Sequence, residues 1–250
     1  MCALQHWGKK AGLNMRISYF DDYARMSESA ADILVNELRR KRDLLVCSAT
    51  GGSPLSLYQR IAKIYLKEAD LFEHMRILKL DEWGGIPMMD SNSCESYLKE
   101  NVLSPLNISS DRYMAFDSEA HNLVEECRRI QQTIDKIGPI DFCILGLGKN
   151  GHLGLNEPAD FLQGDCHIAK LAEITAQHSM VQMMPRTPTF GMTIGLKDIL
   201  GSKKILLLIT GSQKRDAIKR LMTKEVTTQL PASFLWLHTN VECLIDKKCC

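Results

Sequence analysis

The strongest constraint on this chain is a recurrence of short, unbroken apolar runs, rich in β-branched residues, set between longer amphipathic stretches. The runs fall at residues 44–50, 75–81, 140–146, 204–210 and 233–245. A strand that is apolar at every position buries both faces, and that is the situation of strands in a parallel sheet covered by helices. The stretches between them predict helices over about 22–41, 54–68, 93–103, 118–136 and 212–223. Strand alternating with helix reads as βαβ units. The expected fold is a single-domain α/β structure over residues 1–250, a mostly parallel Rossmann-like sheet flanked by helices on both faces. No internal repeat, low-complexity tract or Pro/Gly/Ser-rich linker marks a boundary within it.

Charge and cysteine usage narrow the partners. The formal net charge is +1 over 250 residues and no run of five like charges occurs, which argues against nucleic acid or a membrane surface and for a small molecule. No apolar stretch approaches the ~20 residues that span a bilayer, and the start MCALQHWGKKAGLNM lacks a signal-peptide core; a cytoplasmic protein is expected. The nine cysteines are scattered without C-x-x-C spacing, so neither a disulfide framework nor a zinc site is expected. Cys47 and Cys143, inside apolar runs, read as small hydrophobes rather than catalytic thiols.

In open parallel sheets ligands bind beyond the carboxyl ends of the strands. After the first run comes Thr50-Gly51-Gly52-Ser53-Pro54, read as a helix start with Ser53 as N-cap and Pro54 at the first helical position. Free N–H groups and the helix dipole there suit a phosphate. The second run ends in Asp81-Glu82-Trp83. Adjacent side chains of a strand point to opposite sides, so one of the two carboxylates faces the cleft, where it can act as a general base; the alternative is that both are solvated or cap the next turn. The third run opens into Gly146-Leu147-Gly148-Lys149-Asn150-Gly151-His152, with Asn156-Glu157-Pro158 a few residues on. Glycines allow unusual backbone conformations around a ligand, and His152 with Glu157 can form an orienting pair. The same stretch fits G-x-G-x-x-G, but Gly154 and Pro158 interrupt the helix a dinucleotide site needs, and the residues beyond Pro158 do not read as a strand. Late in the chain Gly211-Ser212-Gln213-Lys214 is a second Gly-Ser helix start, with a lysine in the first turn that an anion would make favourable. Spacing assigns no role to Arg186, His178 or His238, and the stretch from Met183 to Pro188 reads as a loop over the site or a plain connection.

In order and spacing, these four motifs resemble the glucosamine-6-phosphate deaminase family and its superfamily, which includes the 6-phosphogluconolactonases; the resemblance runs from about residue 30 to 245. Leu80-Asp81-Glu82-Trp83, GLGKNGHLGLNEP and the late PASFLWLH look most like galactosamine-6-phosphate deaminase/isomerases. The resemblance implies a hexosamine 6-phosphate as substrate, ring opening, proton movement between C2 and C1, and loss of ammonia to give a ketose 6-phosphate, with no metal and no organic cofactor. By the same resemblance Asp81 is the proton-shuttling base, His152 assists ring opening, and Glu157 orients His152. Thr50, Gly51, Gly52, Ser53 and Lys214 hold the phosphate, and Glu82, Gly148 and Arg186 are further substrate contacts. Asn150 replaces an aspartate of the glucosamine enzymes, leaving the relay one carboxylate. Arg186 is the candidate for an arginine that has no counterpart near Val181. The basic residues that serve an allosteric phosphate in hexameric members correspond to His167 and Ala169, so no activation by an N-acetylated sugar phosphate is expected. The sequence leaves the oligomeric state open, a homo-oligomer included.

Overall fold

The expected runs do become the central strands. The computed structural model describes residues 15–176, 179–182, 184 and 187–249. Strands β1 (Met15–Phe20), β2 (Leu45–Ser48), β3 (Arg76–Lys79), β4 (Asp81–Trp83), β5 (Tyr113–Met114), β6 (Phe142–Gly146), β7 (His167–Lys170), β8 (Phe190–Thr193), β9 (Lys204–Ile209) and β10 (Val241–Asp246) form two sheets. The larger has the order β1-β10-β9-β6-β2-β3-β5, with every pair parallel. From β2 the chain builds outward through β3 and β5, then returns to the other side of β2 with β6. The order therefore reverses between β2 and β6, and the crevice at their carboxyl ends is the expected place for a ligand.

Both faces of this sheet are buried. Leu45, Cys47, Ile205, Leu207 and Ile209 pack into one apolar core, while Val46, Leu206 and Leu208 pack into another on the opposite face. Helices α1 (Tyr23–Arg40) and α2 (Gly52–Tyr65) cover the second core. Helices α4 (Leu123–Ile137), α5 (Leu196–Leu200) and α6 (Arg215–Met222) cover the first, and the short α3 (Cys94–Leu98) runs into a π-helical turn at Lys99–Leu103. Helix α1 shows why the periodicity works. Asp22 caps it by accepting from the Arg25 N–H at 2.8 Å, and Met26, Ala30, Leu34 and Leu38, spaced four apart, form its buried stripe.

Several expectations need correction. The run 233–245 is not one strand: Pro231–Leu237 is a 3-10 helix led by a proline, and β10 begins only at Val241. An unbroken apolar run does not distinguish a buried strand from a buried helical turn. The run 75–81 breaks at Leu80, so that Asp81 begins β4 in the second sheet, of antiparallel order β4-β8-β7. The stretch after Pro158 does contain a strand, β7, only one of whose four residues is buried, which hides it from an apolar pattern. Strand β1 is an edge strand concealed for the same reason. No described helix is long and apolar enough to cross a membrane.

Candidate active site

Four segments meet in one pocket at the sheet's switch point: Thr50–Ser53 after β2, Asp81 after β3, the 146–155 loop after β6, and Lys214 after β9. The phosphate-type loop differs in detail from expectation. Gly51, at φ 96°, is the N-cap of α2, and Ser53 lies inside the first turn with Pro54. A positive φ turns the chain two residues earlier than a serine cap would, and only glycine adopts it without cost. No side chain caps the helix, so the first N–H groups have no side-chain acceptor. Two tyrosines fix the loop from behind: Tyr23 Oη donates to the Gly52 carbonyl at 2.6 Å and Tyr97 Oη to the Gly51 carbonyl at 2.7 Å. Lys214 and Lys149 also line the pocket. Burial together with the Lys149 charge depresses the Lys214 ammonium to about 8, a cost that a bound anion would reverse.

Across the pocket, Asp81 is 8% exposed. Burial, reinforced by the neighbouring Glu82 carboxylate, raises its carboxyl from 3.8 to about 7, against opposing effects of Lys79 and Cys94. That value suits a general base near neutral pH. Strand alternation sends Glu82 the other way. It is fully buried, accepts from Lys79 Nζ at 2.8 Å, and takes the N–H groups of Trp83, Cys94 and Glu95 at 2.9, 2.9 and 2.8 Å. Glu82 does not line the pocket, which corrects the expectation of a substrate contact: it is the anchor of α3 behind Asp81.

His152 reaches the pocket from the loop after β6, packed on Gly148, where a Cβ would lie 2.3 Å from the imidazole. Its Nδ1 is 3.3 Å from Glu157 Oε2 and 3.3 Å from Thr175 Oγ1. Glu157 in turn accepts from Asn150 Nδ2 at 2.8 Å and Thr175 Oγ1 at 2.5 Å. Burial would raise the Glu157 carboxyl, but hydrogen bonds from His152, Thr175 and Asn150 outweigh it and hold the group below its ordinary value. Asn150 therefore acts on Glu157 and, through Oδ1, on the His152 N–H at 3.2 Å, rather than on the imidazole itself. Neither Asn150 nor Glu157 lines the pocket; both touch His152, which does.

Of the sequence candidates, Thr50, Gly51, Gly52, Ser53, Asp81, Gly148, His152 and Lys214 come together around the pocket. Arg186, His178 and Met183 lie outside the described residues. His238 is far from this chemistry, bonded to the Ser202 carbonyl at 2.7 Å. His167 sits on β7, bonded to the Asp165 carbonyl at 2.8 Å, and burial lowers its pKa, so it offers an anion no fixed charge. Sequence reading missed Lys149, Thr175, Tyr23, Tyr97 and Cys94. Tyr97 lies 46 residues from its partner Gly51, a separation no local pattern reveals. Among the described residues no group of His, Cys, Asp or Glu is arranged to hold a metal ion.

This arrangement coincides with a known family. Residues 21–244 match the model of the glucosamine-6-phosphate isomerases/6-phosphogluconolactonases. The chain belongs to that family. It is 43% identical to Escherichia coli K12 "Putative deaminase AgaI" over 227 residues, 90% of each protein. It is 35% identical to the glucosamine-6-phosphate deaminase of Clostridium botulinum Loch Maree, covering 94% of this chain and 97% of the relative. Among solved structures, a monomeric glucosamine-6-phosphate deaminase of the NagB superfamily superposes with a TM-score of 0.90 at 32% identity, covering 94% of this chain and 98% of the other.

Proposed function

We propose that this amino-sugar-phosphate deaminase/isomerase converts galactosamine 6-phosphate and water to tagatose 6-phosphate and ammonia. One observation carries the reading: a buried carboxylate poised near neutrality, Asp81, shares a pocket with a histidine–carboxylate pair at one side and a glycine loop with two lysines at the other. A 6-phosphate seated on Thr50–Ser53 beside Lys214 directs the sugar's reacting carbons away from the loop, toward Asp81 and His152. His152, oriented by Glu157, moves the proton between O5 and O1 that opens the ring. Asp81 then takes the C2 proton and returns it to C1, through an enolamine, leaving an imine at C2. Water adds to that imine, the carbinolamine collapses, and ammonia departs with the amino nitrogen. The pocket needs only acid–base chemistry for each of these steps.

The galacto epimer is favoured by the LDEW, GLGKNGHLGLNEP and PASFLWLH motifs and by Asn150. The second reading is the same chemistry on glucosamine 6-phosphate, supported by the deaminase relatives of that name. Incubating the pure protein with each 2-amino-hexose 6-phosphate and assaying ammonia decides between them. A higher kcat/KM on the galacto epimer is expected; no ammonia from either sugar would sink both readings.

A further inference from the structure

The buried groups behind Asp81 are not used by the proposed reaction steps, and they form one connected unit. Cys94, 1% exposed, opens helix α3. Its main-chain N–H is fixed on Glu82 Oε1 at 2.9 Å, and Glu82 is itself locked by Lys79 at 2.8 Å. This places the Cys94 sulfur 3.8 Å from Asp81 Oδ1 and 3.5 Å from Thr50 Oγ1. We propose that Cys94 is the positioning residue of this site: its thiol joins the base Asp81 to Thr50 of the anion loop, holding one carboxylate oxygen so that the other meets the substrate.

The chemistry of sulfur supports this role. A thiol has one proton; given to Asp81, it leaves the sulfur to accept from the Thr50 hydroxyl, so the chain of donors runs from the anion loop to the base. The thiol must stay protonated to do this. Burial, with the Glu82 and Asp81 charges nearby, pushes its pKa well above the ordinary value. An S–H donor is also weak, so it fixes the rotamer of Asp81 without removing its basicity. The charged and titratable groups around Asp81 are Lys79 and Glu82 on its own segment, Cys94 and Glu95 from α3, Cys47 from β2, and His152 across the pocket. Of these, Cys94 has the side chain bonded to the Asp81 carboxylate.

The proposal rests on Asp81 as the base, so its test needs a readout that works without turnover. Carboxyl 13C NMR of aspartate-labelled protein follows the Asp81 titration, assigned by its loss in Asp81→Asn. Cys94→Ala should raise that midpoint by roughly half a pH unit, equivalent to about 0.7 kcal/mol at 1.36 kcal/mol per unit, the scale of a weak hydrogen bond. Cys94→Ser, which keeps a donor, should hold the midpoint below that of Cys94→Ala. In turnover, Cys94→Ala should lose about threefold in kcat at unchanged KM, with the acid limb of the pH profile moving as the midpoint does. An unmoved midpoint in Cys94→Ala overturns the proposal. So do equal shifts in both variants, which would mean burial rather than a hydrogen bond sets the value. If Cys94→Ala does not fold, the serine variant decides alone: its kcat must fall less than threefold with KM unchanged, and a larger kcat loss or a raised KM overturns the proposal. Absence of ammonia from the wild type with a shifted midpoint would refute the proposed reaction and leave the role of Cys94 standing.

Discussion

Asn150 donates its side-chain amide to Glu157 Oε2 at 2.8 Å, the same oxygen that lies 3.3 Å from His152 Nδ1. A neutral donor thus occupies a position where a carboxylate would face Glu157 directly. The donor helps keep Glu157 ionised despite its burial. Asn150→Leu should therefore raise the Glu157 pKa and let the carboxylate turn away from His152. A lost hydrogen bond to a charged group is worth about 1.5–3 kcal/mol, or roughly 10- to 100-fold in kcat, with KM changed little because Asn150 does not line the pocket. Steady-state kinetics on the preferred epimer measures this; a KM effect without a kcat effect would contradict it.

In the proposed reaction the pH profile is set by Asp81 as base and Lys214 as phosphate partner. The base works only when ionised, so kcat/KM should rise as pH passes about 7. The phosphate partner works only when charged, so KM should climb as pH passes about 8 in the free enzyme. Asp81→Asn should abolish turnover while leaving sugar-phosphate binding largely intact, and it should also change stability in a defined direction. A raised folded-state pKa gives stability that is complete below the unfolded value of 3.8 and is lost as pH rises toward about 7. The variant escapes that loss. Its Tm relative to wild type should therefore increase from about pH 4 to pH 7 and level off above, as differential scanning calorimetry can check.

How much of the molecule was legible in the sequence depended on whether the cause was local. Strands β2, β6 and β9 were visible because burial of both faces makes every residue apolar. That only one of Asp81 and Glu82 faces the pocket is visible from their adjacency alone; which of the two does so is not, and Glu82 is expected to touch substrate. Its partner Lys79 is three residues away, but the N–H groups of Cys94 and Glu95 that complete its shell come from a helix twelve or thirteen residues on. The antiparallel sheet is hidden because β4 is three residues long and β7 buries only one of its four residues. Ser53 reads as the cap because a positive φ at Gly51 leaves no trace in a hydrophobic pattern.

Gly148 offers a test of how tightly His152 is held. A methyl group there would lie 2.3–2.4 Å from Cδ2, Cγ and Nε2 of the ring, so the imidazole must move by about an ångström. Misplacement on that scale costs on the order of 100-fold in rate. Gly148→Ala should lose about that much kcat while its Tm stays near wild type, since the ring can swing into the open pocket. Activity close to wild type would show that His152 need not sit where the structure places it.

The Lys79–Glu82 pair joins the two sheets, because Lys79 ends β3 and Glu82 is the middle residue of β4. Both side chains are completely buried, and Lys79 also reaches Glu95 Oε2 at 2.8 Å. Burial opposes the Lys79 charge, yet the two carboxylates more than offset it and raise its pKa. Such a pair adds little compared with an apolar substitute for both members, but removing one partner leaves a buried charge uncompensated, at a cost of about 3–5 kcal/mol. Lys79→Met should thus lower Tm by about 10 °C, at roughly 2–4 °C per kcal/mol for a chain of this size. Lys79→Met combined with Glu82→Gln should recover part of the loss, since the fully buried charge is gone, the remaining partner Glu95 is partly exposed, and the amide oxygen can still accept an N–H from α3. Recovery is the diagnostic outcome: an additive double mutant would mean that Glu82 is stabilised by its three N–H donors alone and that Lys79 contributes only packing.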